Sequence, residues 1–366
     1  MRITAIEPFL IDVPLRSPVM GVHGRTSVQR SALVRVTSGD GCEGWGNVDP
    51  TPGYSTVSAV DVYRMIGRLA PALLGHNAFD ARRALAAMHA VVADGYEAKA
   101  AIEMALLDLN GRAHGLSVHS LLGGTVKDRV TFNAWIGTVG PEQAAREAVA
   151  WLDRGFTTAK IKINGPGADG PERVAAVRAA IGSRMALRVD YNESLTLAEA
   201  VPAIKALEPY DLTLVEQPVP RDQIEALAKI RRAVNIPLMA DESVTGPASL
   251  IDIVRREAAD YVKVKVMKQG GMIPTLSMIE CAAAAGLKVI IGHGFGLTLS
   301  TLAEVAVAAA HEAVVDGCES VGPLKMAGDV VAEPVDLETG AITLSSAPGL
   351  GATVSADALK RYRVEP

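Results

Sequence analysis

Along the middle of this chain a short apolar run ending in a charged side chain recurs at near-constant spacing, and that recurrence restricts the fold more than any other feature. The segments are Thr158-Ala159-Lys160-Ile161-Lys162, Leu187-Arg188-Val189-Asp190, Leu212-Thr213-Leu214-Val215-Glu216, Leu238-Met239-Ala240-Asp241 and Tyr261-Val262-Lys263-Val264-Lys265. From Lys162 through Asp190, Glu216 and Asp241 to Lys265 the steps are 28, 26, 25 and 24 residues. Each step is the length of one strand, one helix and two loops, the repeat unit of a (β/α) barrel. The polar ends then fall at one rim, where the C-terminal ends of barrel strands meet. Within Lys160-Ile161-Lys162, residues i and i+2 project to the same side, so both lysines face one interior.

The flanking sequence extends the pattern. Residues 130–136 predict a first strand, and 288–292 and 318–321 predict strands seven and eight. Before them, residues 3–48 alternate as antiparallel strands with a loop over 16–30, and helical periodicity follows over 57–74, 79–93 and 98–113. From about residue 330 the text changes to short strands and turns. The predicted class is α/β: a (β/α)8-type, modified TIM barrel carrying the active site over 126–329, an α+β capping domain over 1–125, and a C-terminal segment, 330–366, returning to that cap.

Composition narrows the partners. With 366 residues, 49% hydrophobic and 21% charged, the chain has enough apolar material for a large core. A net charge of -5, with basic residues scattered among acidic ones, offers no basic stripe for nucleic acid. Cys42, Cys281 and Cys318 lack metal-ligand spacing and are expected as buried free thiols in a reducing compartment. The first residues lack a signal-peptide pattern and no stretch suits a membrane span, so a cytoplasmic protein is expected.

The rim residues suggest a chemistry. Asp190, Glu216 and Asp241 end consecutive strands, so their carboxylates are expected to converge, and three neighbouring anions repel strongly. A divalent cation relieves that repulsion, and all-oxygen ligation favours Mg²⁺, with Mn²⁺ as an alternative, over zinc. Lys162 and Lys265 stand four strands apart in a ring of eight and should face each other across the mouth. Lys160 is a like charge beside Lys162, and with partial burial it disfavours protonation, so a lysine becomes a base near neutral pH. The matching substrate is a small carboxylate whose α-proton leaves to give a metal-stabilised enediolate.

On these motifs the chain resembles the enolase superfamily, and within it the muconate lactonizing enzyme subgroup. They are Lys160-Ile161-Lys162, Asp190-Tyr191-Asn192, Glu216-Gln217-Pro218, Asp241-Glu242-Ser243, and Lys265 followed by Lys268-Gln269-Gly270-Gly271. Ala101 to Leu109 with Leu121-Leu122-Gly123-Gly124 looks like the capping-domain helix of that family, and Pro348-Gly349-Leu350-Gly351 like its C-terminal return. The resemblance implies Asp190, Glu216 and Asp241 as Mg²⁺ ligands, Lys162 and Lys265 as the acid/base pair, and Lys160 as an aid to the substrate carboxylate. It implies a racemase, epimerase or lactonizing cycloisomerase, association into a homo-oligomer, and loops that close over the site and choose substrate, in which His23, Arg25 and Tyr54 are candidate substrate contacts with solvent exposure as the alternative. The paired aspartates of dipeptide epimerases are absent near Cys318-Glu319-Ser320.

Several residues admit two roles. Asn192 and Glu242 either support the metal ligands from behind or cap loops and form plain ion pairs. His293 and Glu319 are candidate substrate contacts, with a structural histidine as the alternative at 293. Lys263, two residues before Lys265, is expected a layer deeper or turned to a neighbouring acid. Other chemistries remain open: a dehydratase using the same enediolate, a Schiff-base aldolase on Lys265, or a scaffold that only binds ligand.

Overall fold

The N-terminal segment alternates apolar and polar residues over a long stretch, and it pairs with itself before any barrel strand forms. In the computed structural model, which describes residues 1–21, 24–51, 55–165 and 169–366, β1 (Ile3–Gly21) and β2 (Gly24–Ser38) make one antiparallel hairpin. The described residues of the loop expected over 16–30, 16–21 and 24–30, are instead strand: Pro14 opposes Val28, and Val19 opposes Thr26. The register slips between Pro14 and Val19, a segment holding Pro14 and Pro18, which have no N–H to give a ladder. β3 (Glu43–Val48) adds to β2 and lies against the helix Tyr96–His114. Gly44 and Gly46 permit that approach, since a Cβ at either would overlap the carbonyl of Ala105 or Ala101. The helix is buried on nearly every side from Ala98 to Gly111 and ends at Gly115, whose φ of +67° suits glycine.

Seven parallel strands follow, each hydrogen-bonded to the next: β5 (Asn133–Ile136), β6 (Thr158–Lys162), β7 (Ala186–Asp190), β8 (Leu212–Glu216), β9 (Leu238–Ala240), β10 (Tyr261–Val264) and β11 (Lys288–Ile291). Helices fill the connections, from Pro141–Asp153 after β5 to Thr298–Ala309 after β11. The predicted first strand is split, because β4 (Arg129–Thr131) turns away to pair with β12 (Ala341–Thr343). No regular eighth strand forms at 318–321. An irregular segment closes the ring there: Val315 N donates to Val289 O and Glu319 N to Ile291 O, both at 2.9 Å, while Asn133 N donates to Cys318 O at 2.9 Å on the opposite side. Gly317, at φ +86°, interrupts the extended backbone that a regular strand needs.

β13 (Arg363–Val364) pairs with the free edge of β1 through Leu10↔Val364 and Ile11↔Arg363. The thiols correct one expectation: Cys318 is buried, but Cys42 is half-buried and Cys281 exposed. No helix among the described residues is long and apolar enough to cross a membrane.

Candidate active site

The parallel register of β6, β7 and β8 sets Lys162, Asp190 and Glu216 side by side as paired positions. Asp241 and Lys265 each follow the last residue of their strands, at the same rim. Gln217 holds the turn after β9. Its Oε1 accepts from Asp241 N at 3.0 Å and Ser243 N at 3.2 Å, and its Nε2 donates to Val219 O and Ser243 Oγ, both at 2.9 Å. Gln217 has φ +34° and Asn192 φ +43°, so non-glycine residues in the left-handed region lie beside two of the rim acids.

The charged groups interlock. Lys162 Nζ reaches Asp190 Oδ2 at 2.6 Å and Asn192 Oδ1 at 2.5 Å, and Lys265 Nζ reaches Asp241 Oδ1 at 2.7 Å. Between them, Lys160 bonds Glu216 at 3.0 Å, Asp190 at 3.1 Å and also Glu319. Lys263 bonds Glu319 at 2.5 Å, Glu216 at 3.1 Å and Asp241 at 3.4 Å. Arg188 stands below, 3.6 Å from Glu319. Asn192 passes the network on to Glu242 Oε1 at 3.1 Å, and Glu242 Oε2 is buried without a hydrogen-bond partner among the described residues.

Burial and charge oppose each other throughout. Burial works against the Asp190 carboxylate, but the ammonium groups of Lys162 and Lys160 outweigh it and hold the group at about 2. Asp241 is likewise held far below the usual range by Lys263 and Lys265 against the effect of burial. Glu216 goes the other way: burial, then the charge of Asp190, push it up to about 8. Glu242 is raised by burial and by Asp241. Lys160 is pushed above the ordinary lysine value because Glu216 and Glu319 outweigh its burial, so it is a fixed cation.

These positions refine the expectations. Among the described residues no three His, Cys, Asp or Glu side chains gather closely enough to hold a metal as they stand, because lysine ammonium groups stand between the three carboxylates. The donor set still suits a hard divalent cation. It is all oxygen, it includes a carboxyl raised by burial and by a neighbouring anion, and beside Asp241 a buried carboxylate oxygen lacks a partner among the described residues. Glu319, expected toward substrate, is a buried counter-ion to Lys160 and Lys263. His293 Nε2 bonds the Asp49 carbonyl at 2.7 Å, and burial, then Lys265, push its ring down to about 3, so it is a neutral tether to the β3 side of the cap. His23 and Tyr54 lie outside the described residues, as does the Arg25 side chain.

Sequence reasoning gave no role to Arg188 or Lys268, though both stand in quoted motifs, and passed over Lys325. Lys263 carried a usable signal, the same i, i+2 relation that marks Lys160 and Lys162. Lys268 donates to Asp241 O at 2.9 Å and is pushed down to about 8 by burial and by Lys265. Lys325 lies beyond the repeat, where periodicity says nothing.

Residues 5–123 match the family model described as "Mandelate racemase / muconate lactonizing enzyme, N-terminal domain", and residues 143–358 match "Enolase C-terminal domain-like". A chloromuconate cycloisomerase of Cupriavidus pinatubonensis is 33% identical over 359 residues, covering 96% of this chain and 96% of the relative. The L-Ala-D/L-Glu epimerase of Bacillus subtilis is 32% identical over 355 residues, with the same 96% coverage of each. The crystal structure of N-succinyl Arg/Lys racemase from Bacillus cereus superposes with a TM-score of 0.94 at 30% identity, covering 100% of this chain and 99% of that one.

Proposed function

The chain belongs to the mandelate racemase/muconate lactonizing enzyme family of the enolase superfamily, and from that membership we propose that it is an isomerase removing the proton α to a small carboxylate. The product of that step is an enediolate. Its reprotonation gives racemisation or epimerisation; in the cycloisomerase sense the enediolate instead forms as one carboxylate of an unsaturated diacid adds to the conjugated double bond and closes the lactone, and a lysine then delivers a proton to the α-carbon; the relatives named above include both kinds. The supporting observation is the placement of two lysines at opposite ends of one carboxylate trio: Lys162 bonds Asp190 and Lys265 bonds Asp241.

In this reading Asp190, Glu216 and Asp241 hold a divalent cation, Mg²⁺ or Mn²⁺, which when bound supplies positive charge to the substrate carboxylate as its α-carbon loses a proton. Lys162 and Lys265 approach that carbon from two sides, one taking a proton and the other returning one or stabilising charge. Asn192 orients Lys162, and Lys160 and Lys263 fix Glu216 from behind.

The test is proton exchange. N-acyl amino acids, dipeptides and hexadienedioates incubated in D2O with Mg²⁺ should show one class that takes up deuterium at the α-carbon, followed by NMR and polarimetry. EDTA should abolish exchange, and Lys162→Ala should slow it about 10²- to 10⁴-fold, the usual contribution of a general base. Exchange undiminished by EDTA or by Lys162→Ala refutes the assignment.

A further inference from the structure

Lys325 ends the short helix Gly322–Lys325 that follows the closing segment of the barrel. Its ammonium lies 4.3 Å from the ring centroid of Phe295, in the loop after β11, and 4.7 Å from that of Trp135 on β5. It donates to the Gly294 carbonyl at 2.6 Å. Every other lysine of the site is in ion-pair contact with a carboxylate. Among the described residues Lys325 has no such contact. Burial pushes its amine down to about 7, and the charges of Lys162 and Lys160 act in the same sense, only partly opposed by Glu319.

Lys325 is half-buried; a cation partly withdrawn from water is normally paired with an anion, and two aromatic faces replace only part of what solvation supplies. Lys325 is therefore short of an anion, and the charges that act on it most strongly, Lys162 and Lys160, are those of the candidate reaction centre. Nothing in the local fold requires a lysine here. Its tip caps no helix and accounts for one carbonyl, a bond that water or a backbone N–H would serve as well.

We propose that Lys325 receives a second anionic group of the substrate, remote from the carboxylate at the reacting carbon, and so selects dianionic acids. The inference rests on the proposed function for the position of the first carboxylate. It names the substrate class of that site as compounds with two acidic ends, the second held by an ammonium between the Trp135 and Phe295 rings.

Matched probes differing only at the remote end separate charge from shape: an N-succinyl amino acid against its N-butyryl counterpart, and a hexadienedioate against the hexadienoate of the same double-bond geometry. Each is titrated calorimetrically into Mg²⁺-loaded wild type, Lys325→Met and Lys325→Arg. Mg²⁺ affinity and thermal midpoint report that the variants fold. At least one dianion should bind wild type about 10- to 100-fold more tightly than its monoanionic partner, the range expected of one charge-assisted contact. That preference should fall to within about 2-fold in Lys325→Met and partly return in Lys325→Arg. Equal affinity within every pair, no binding of either dianion, or a preference that survives Lys325→Met overturns the proposal. The same compounds in D2O keep the two hypotheses apart. A dianion preference without exchange refutes the reaction and leaves the subsite standing, whereas exchange without a preference does the reverse.

Discussion

Replacing Lys263 by methionine removes a cation that three carboxylates share while nearly preserving side-chain length. The ammonium lies 2.5 Å from Glu319, 3.1 Å from Glu216 and 3.4 Å from Asp241. Without it, Glu319 retains only Lys160 and the 3.6 Å approach of Arg188, and the folded chain must carry a buried anion short of one partner or take up a proton. Breaking a buried pair by removing one partner costs about 3–5 kcal/mol. Protonating a carboxyl of ordinary value 4.5 at pH 7 costs about 3.4 kcal/mol, at ~1.36 kcal/mol per unit. The cheaper route limits the loss, so Lys263→Met should lose about 3 to 3.5 kcal/mol at pH 7. Proton uptake also sets the sign with pH. A carboxyl whose folded value is raised contributes stability below its unfolded value and loses it as pH rises, so the deficit should shrink to about 1.4 kcal/mol at pH 5.5. In wild type Glu319 is held below the usual range, and its contribution runs oppositely, being lost as pH falls. Urea unfolding of both proteins in EDTA at pH 7 and pH 5.5 measures this. A loss under about 1 kcal/mol at pH 7, or one that does not change between the two pH values, refutes the shared-cation account.

Glu103 on the cap helix Tyr96–His114 accepts from Met272 N and Ile273 N, both at 2.8 Å, at the start of the barrel helix Met272–Ala284. Glu103→Ala leaves one buried and one half-buried N–H group unpaired and should cost about 2–4 kcal/mol, seen as a lower thermal midpoint. Burial pushes Glu103 up to about 7, so wild type should lose stability as pH rises from 4.5 through 7, and the wild-type-minus-variant difference should carry that slope. Gly46→Ala drives a Cβ into the Ala101 carbonyl, backbone against backbone, and should cost about 3 kcal/mol by calorimetry. Gly67→Ala, in the helix Ala59–Leu69 with nothing within 4 Å of the added carbon, should instead gain about 0.5–1 kcal/mol.

Legibility differed from one part of the molecule to another for physical reasons. Strands β6 to β10 were readable because a half-hidden apolar run of fixed length is a local property, and the polar residue that ends it marks the rim. The hairpin of β1 and β2 was not, since Pro14, Pro18 and Gly21 signal turns locally while cross-strand pairing overrides them. The split at residues 129–136 and the irregular closing segment escaped for a similar reason: β4 leaves the ring only because β12, some two hundred residues away in the chain, supplies its partner.

By itself, then, the amino-acid order determined a repeating strand-and-helix unit and which of Lys160, Lys162, Asp190, Glu216, Asp241 and Lys265 point to the shared interior, because period-two geometry and repeat length act within a few residues. Only the tertiary structure decided which charge meets which. It turned Glu319 and Lys263 toward each other, gave His293 to the Asp49 carbonyl, and set Lys325 between two rings with no carboxylate contact among the described residues. Long charged side chains have no partner written into their own segment; burial penalises every unpaired charge, and the neighbours that barrel closure brings within reach settle the pairing.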